Sequence, residues 1–177
     1  MAHGIQGLDK LMRKYGELGT RIVNESMENA VNASTKTVQA SAKLLCPVNH
    51  GELKRNIRTM VQRQDDKTIG VVYNNVPHAM YVEFGTGPVG EANHGGISPA
   101  VTPAYSQHGW GIPGDAVESS DVEKYHWPER TYDGQTYYMT SGQPAQPFMY
   151  PALKDNEERV TRNISNYLAR EIRKVCK

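Results

Sequence analysis

The sequence has few cysteines and no long hydrophobic run, and both absences exclude classes of protein. Cys46 and Cys176 are its only cysteines among 177 residues, too few for the disulfide framework of a small secreted domain. A zinc site needs about four clustered ligands, and no such cluster is visible. No stretch approaches the roughly 20 apolar residues of a membrane span, and no signal-peptide pattern opens the chain. We therefore expect a protein without a membrane partner that remains where it is synthesised.

Motifs of catalysis are lacking as well. The six histidines are scattered, and none has the two-histidine spacing of a zinc peptidase helix. The nearest acid–base pairs are His50 with Glu52 and His78 with Glu83, which read more simply as turn or surface residues. Gly85-Thr86-Gly87 follows a predicted strand without opening a helix, unlike a phosphate-binding or dinucleotide-binding loop. We predict no enzyme, no cofactor, and no catalytic, cofactor-binding or metal-binding residue.

The net charge is small, but the charges are unevenly distributed. A formal charge of +1 provides no bulk attraction for nucleic acid or membrane. Between residues 65 and 133, ten acidic residues stand against three basic ones, and both flanking segments are basic. Such an acidic middle could pair subunits head to tail. Solvated faces that happen to differ in charge explain the pattern equally well.

Amphipathic segments at both ends of the chain predict helices. Residues 5–45 carry apolar side chains at three- and four-residue spacing, and glycines near position 16 favour a short first helix before a long second one. Pro47 ends this segment. Its stripe is rich in alanine and serine, which permits close packing on a sheet. After Pro151, residues 153–175 predict a second strongly amphipathic helix.

Short turn-linked segments between these helices predict strands. Residues 52–64 and 67–75 flank a turn at Asp65-Asp66, and 78–84 alternates as a third strand of an antiparallel meander. A last strand is expected at 137–140. The predicted fold is therefore α+β: a long N-terminal helix and a C-terminal helix packed on an antiparallel sheet of about four strands.

A glycine- and tyrosine-rich segment interrupts this plan. Residues 85–142 contain ten of the sixteen glycines and half of the aromatic residues, without helical periodicity. Long irregular segments in compact domains are usually functional, and disordered segments are poor in aromatics. We expect a single domain over residues 1–177, with 88–141 as an extended loop insertion that packs on its own sheet or on a neighbouring subunit.

Three blocks in order resemble one family of proteins. They are Cys46-Pro47-Val48-Asn49-His50-Gly51-Glu52-Leu53-Lys54-Arg55-Asn56-Ile57, His78-Ala79-Met80-Tyr81-Val82-Glu83-Phe84-Gly85-Thr86, and Pro144-Ala145-Gln146-Pro147-Phe148-Met149-Tyr150-Pro151-Ala152-Leu153. With the opening Gly4-Ile5-Gln6-Gly7-Leu8, they resemble the tail-component family of long-tailed bacteriophages, which covers tail-completion and head–tail joining proteins. The resemblance extends over residues 4–177 except for about 88–141.

The resemblance implies a structural subunit of the virion, located in the tail or neck and assembled in the host cytoplasm. It implies a tail completion, terminator or head–tail joining protein that forms a ring, six-fold in related proteins, at the head-proximal end of the tail tube. The implied partners are further copies of the chain, the tail tube protein and a head connector or stopper protein, while DNA passes through the ring without specific binding. A head-side adaptor or stopper is an alternative, and a small phage-encoded hydrolase is an alternative of another class.

The blocks also suggest which residues support assembly. We expect the second block to fix where the insertion leaves the sheet, and Phe148 to anchor the returning chain beside it. The candidate structural or assembly residues are Tyr81, Glu83, Phe84, Gly85, Thr86, Pro147 and Phe148.

Overall fold

The protein has the predicted α+β composition, with eight helices and five strands in the part described by the computed structural model. That part comprises residues 8–20, 25–65 and 67–175. The helices are α1 (Leu8–Thr20), α2 (Met27–Leu45), α3 (Glu52–Arg55), α4 (Ala79–Phe84), α5 (Gly87–Ala92), α6 (Ser119–Tyr125), α7 (Met149–Lys154) and α8 (Glu157–Val175). The strands are β1 (Arg58–Gln64), β2 (Lys67–Tyr73), β3 (Trp110–Pro113), β4 (Glu129–Tyr132) and β5 (Gln135–Thr140).

The chain divides into two compact units. Residues 1–75 and 151–177 form the first unit, and residues 76–150 form the second. The expected single domain over 1–177 stays a prediction. The opening block at residues 4–7 and Cys176 lie outside the described residues.

In the first unit, α2 packs on the β1–β2 hairpin and on α8. The buried side chains of α2 are small, as its alanine- and serine-rich stripe predicted: Ala30, Ser34, Thr35, Val38 and Ala42. The hairpin is antiparallel, with Gln64 opposite Lys67. Asp65 lies in the predicted turn, and Asp66 lies outside the described residues. Asp65 adopts φ +51°, a conformation that aspartate tolerates in turns.

Gly70 in β2 allows this close packing between the helix and the hairpin. A methyl group at Gly70 would overlap the Thr35 hydroxyl and lie 2.9 Å from Val31 Cγ1. We expect Gly70→Ala to destabilise the protein by about 1–3 kcal/mol, because well-packed interfaces accommodate extra atoms only by shifting. Denaturant unfolding measures this effect. Gly95→Ala is the matched control, because nothing lies within 4 Å of the added group there.

The third strand predicted for residues 78–84 is wrong, because this segment is helix α4. A six-residue run is too short to distinguish the period of a helix, about 3.6 residues, from the two-residue period of a strand. The residues that are buried in it are Ala79 and Glu83, one helical turn apart, and a glutamate carries no apolar signal. The same ambiguity affected residues 52–64, where α3 precedes β1 and both Leu53 and Ile57 are buried.

The predicted four-strand sheet is therefore two smaller sheets. Among its described residues, the first unit contains only the β1–β2 pair, and the second unit contains a three-stranded sheet in the order β3-β5-β4. The last predicted strand, residues 137–140, lies within β5 but pairs with β3 and β4. The two final helices, α7 and α8, occupy the region predicted as one helix after Pro151.

Apart from the strand predicted at 137–140, the insertion at 88–141 carries regular structure that its sequence did not reveal. It contains most of α5, all of β3, α6, β4 and β5, and a 3₁₀ turn at Gly114–Ala116. Asp133 and Gly134 make the two-residue turn between β4 and β5, both at positive φ. Among the described helices, none is long and apolar enough to cross a bilayer.

Candidate assembly site

The second block of the sequence forms α4 and places Glu83 at its centre. The helix begins after Pro77 and ends at Gly85, whose φ of +77° terminates it. The Gly85 amide donates to Tyr81 O at 3.0 Å. Glu83 is 6% exposed, which is rare for a carboxylate unless its charge is compensated.

The compensation comes from the backbone at the start of α7. Glu83 Oε2 accepts hydrogen bonds from the amides of Phe148 at 2.8 Å and Met149 at 2.9 Å, and Oε1 accepts from Tyr150 at 2.9 Å. The next residue is Pro151, which has no amide proton. One carboxylate therefore satisfies all the N–H groups that the first turn of α7 leaves without helical partners. We call Glu83 with residues 148–150 the Glu83 clasp.

A second set of hydrogen bonds closes the base of the insertion. The Thr86 amide donates to Gln143 O at 2.9 Å, and the Gln143 amide donates back to Thr86 O at 3.2 Å. Gln143 Nε2 also reaches Tyr81 O at 2.9 Å. The amide of Gln146 donates to Val82 O at 2.8 Å. The exit and return of the insertion are thus held side by side next to the Glu83 clasp.

Glycines make this close approach of two backbones possible. A Cβ on Gly85 would lie 2.8 Å from the Ala145 nitrogen and 2.9 Å from Gln143 O. One on Gly142, where φ is +95°, would overlap Thr86 O. Both positions require glycine for its positive φ and for its lack of a side chain.

The structure brings the predicted assembly residues together within the second unit. Phe148 is fully buried, while Pro147 and Phe84 are half-buried and the Tyr81 side chain is exposed. Tyr81 and Phe84 contribute through their carbonyl groups, because Phe84 O accepts from Tyr105 Oη at 2.8 Å. Burial, and to a lesser extent the Glu91 carboxylate, raises the pKa of Tyr105, which keeps this donor protonated.

Sequence reasoning missed two members of this site. The position of Gln143 could have indicated its role, because it stands immediately before the third block. Nothing in the sequence indicated the role of Tyr105, since it lies in the middle of the insertion, 21 residues from the carbonyl to which it binds.

The motif Gly85-Thr86-Gly87 was expected not to open a helix, but it opens the six-residue α5.

The geometry gives Glu83 a structural role. Both Glu83 oxygens are occupied by backbone amides, so the proposed pairing of His78 with Glu83 for acid–base chemistry loses its carboxylate. Within the described residues, no group of three or more His, Cys, Asp or Glu side chains could hold a metal ion.

Comparison with known proteins supports a structural role in a phage tail. Residues 9–85 match the family described as "Bacteriophage HK97-gp10, putative tail-component". The resemblance predicted from the sequence is confirmed over this segment. No curated protein and no solved structure matches the chain.

The phage tail-component match ends at Gly85, the residue that terminates α4. It thus includes Glu83 but not the amides at 148–150 that complete the clasp. Over residues 9–85, the chain is similar to a component of the phage tail.

Proposed function

We propose that this protein is a tail completion, terminator or head–tail joining subunit that forms a ring at the head-proximal end of the tail tube. Its neighbours in that position are the tail tube protein and a head connector or stopper protein, and DNA passes through the ring without specific binding. The tail-component match supports the general role, and the exposure of the insertion supports assembly into a ring.

One observation carries the ring proposal. Every residue from 91 to 147 is described, and none of these 57 positions is buried, although they include three strands and two helical segments. Small sheets need a hydrophobic face packed on another element for independent stability. The insertion has no core of its own, so a neighbouring copy would supply the missing cover.

The exposed side chains of the second unit suit such a contact. Tyr132 is 60% exposed, Met80 60%, Tyr81 52% and Tyr125 48%. Large aromatic residues and methionine are enriched at protein interfaces relative to the rest of the surface. Closed head-to-tail contacts between identical chains produce a ring.

Removing the insertion tests the proposal. We expect a chain lacking residues 90–140, with Val89 joined to Ser141 through two glycines, to remain folded but monomeric. The join is short, because the Val89 amide donates to Ser141 O at 3.2 Å. Light scattering measures the mass of the full-length and shortened chains, and circular dichroism checks that the helices persist.

The control keeps the insertion but alters its surface conservatively. Tyr125→Phe removes one exposed hydroxyl and should assemble like the unmodified chain. Ring-sized particles formed by the shortened chain would contradict a role of the insertion in assembly. A full-length chain that remains monomeric at high concentration would contradict the ring itself.

A further inference from the structure

The two compact units carry opposite charge. Residues 76–150 contain eight acidic and two basic side chains, a formal charge of −6. The remaining residues contain eleven acidic and eighteen basic side chains, a formal charge of +7. These sum to the +1 of the whole chain, which hides a strong segregation of charge.

The basic charge of the first unit includes a stripe on α8. Arg159, Arg162, Arg170 and Arg173 are all exposed, and Asn166 continues their spacing of three and four residues. At 3.6 residues per turn, these five positions lie within about 80° of one another around the helix and extend for about 21 Å. We call them the arginine stripe.

The opposite side of α8 packs inward. α8 contacts α2, and its less exposed residues include Val160, Ile164, Tyr167 and Leu168. Only Arg170 of the stripe has described contacts: its guanidinium lies 4.8 Å from the Tyr167 ring centre and 3.5 Å from Glu171 Oε1. A hydrogen bond from Lys174 at 2.7 Å lowers the pKa of Glu171. The charge of the Glu171 carboxylate is therefore already balanced by Lys174.

The acidic charge of the second unit is concentrated in one segment. Residues 115–133 contain six acidic side chains against Lys124 and Arg130. Asp115, Glu123, Glu129 and Asp133 are exposed there. This acidic segment lies within residues 91–147, none of which is buried.

We infer that the arginine stripe of one copy binds the acidic segment of a second copy. This inference rests on the proposed ring and names the surfaces through which its subunits meet. Guanidinium groups bind carboxylates through paired hydrogen bonds, and complementary potentials fix which surfaces meet. Each copy presents one surface of each sign, which suits a heterologous contact, the kind that forms a ring when its rotation closes.

Removing the net charge of either surface tests this contact. Arg159→Glu/Arg162→Glu takes the four arginines of the stripe from a formal charge of +4 to zero. We expect this variant to weaken self-association by on the order of 100-fold, because the acidic segment then meets no opposite charge. These positions lie near the start of α8, where glutamate suits the helix dipole and preserves the fold. Glu123→Lys/Glu129→Lys should weaken it to a similar degree. Sedimentation or light scattering over a concentration series measures both.

Mixing the two variants provides the decisive measurement. Each variant lacks one charged surface but keeps the other. We expect an equimolar mixture to form heterodimers, because the unaltered stripe of one variant can bind the unaltered acidic segment of the other. A chain carrying all four substitutions should not assemble. Assembly of the unmodified chain should weaken between about 0.05 M and 0.5 M salt, as exposed charges are screened.

A matched control separates this contact from net charge. Lys36→Glu/Arg58→Glu changes the charge by the same amount at exposed positions outside the stripe, and should assemble normally. If the stripe variant assembles as well as this control, the inference is wrong while the ring stands. Loss of binding to a short DNA duplex by a stripe variant that still assembles would instead make the stripe a nucleic-acid surface. An unmodified chain that never associates would overturn both the inference and the ring.

Discussion

Replacing Glu83 by alanine is expected to destabilise the protein by about 3–5 kcal/mol. The substitution leaves the amides of residues 148–150 without their carboxylate partner, and hydrogen bonds to a charged group are worth about 1.5–3 kcal/mol each. Water can enter the space and recover part of that loss, so the total is smaller than three such bonds. Denaturant unfolding, followed by the helix signal, measures the change.

Glu83→Gln separates charge from shape at the same site. Its carbonyl oxygen can still accept from the amides, but its NH₂ group faces donors and cannot. We expect its free energy of unfolding to lie between those of the unmodified protein and the alanine variant. Glu91→Ala is the control, because among the described residues this exposed carboxylate accepts one hydrogen bond, from Gln107 Nε2 at 3.0 Å. It should change stability by less than about 0.5 kcal/mol. A loss from Glu83→Ala as small as that of Glu91→Ala would show that the clasp does not stabilise the fold.

Replacing Phe148 by alanine should cost about 3–5 kcal/mol, because the deleted ring leaves a cavity. Phe148 and Ile57 are the largest fully buried side chains of the described residues. Phe148 is the only one of this size in the second unit, so no other large side chain there can compensate. Its amide also donates to Glu83, but the alanine variant retains that amide, so the measured loss reports packing alone.

Two variants calibrate the Phe148 result. Phe148→Leu retains most of the apolar volume and should cost roughly 1–1.5 kcal/mol. Tyr132→Ala removes an aromatic side chain that is 60% exposed and should have little effect on the stability of the monomer. If Phe148→Ala unfolds at the same denaturant concentration as Tyr132→Ala, Phe148 is not an anchor of the returning chain. Tyr132→Ala also separates stability from assembly, because we expect it to weaken self-association without lowering the free energy of unfolding of the monomer.

The long helices were predictable, because their periodicity extends over many turns. α2 repeats its small apolar side chains from Ala30 to Ala42, and α8 repeats larger ones from Val160 to Leu168. The β1–β2 hairpin was predictable from alternation and from its aspartate turn. Short elements were not predictable, since four to seven residues provide too few repeats to separate a helical period from a strand period.

The site was predicted as a set of residues but not as a geometry. The motif around Glu83 and the block that contains Phe148 were expected to lie beside each other at the base of the insertion. The expected geometry of a strand leaving a sheet was wrong, because α4 is a helix whose end is set by Gly85. Glu83 could not be recognised as a cap from sequence, since its partners lie 65 to 67 residues away.

By itself, the sequence determined the α+β class, the two helical ends, the unequal charge along the chain and the resemblance to phage tail components. These properties depend on local periodicity, on composition and on short motifs, which need no knowledge of distant neighbours. Only the tertiary structure decided what Glu83 binds, how the insertion is closed at its base and that no residue from 91 to 147 is buried. Each of these depends on contacts between residues far apart in the chain or on the exact course of the backbone, because hydrogen-bond partners and burial are properties of the folded chain.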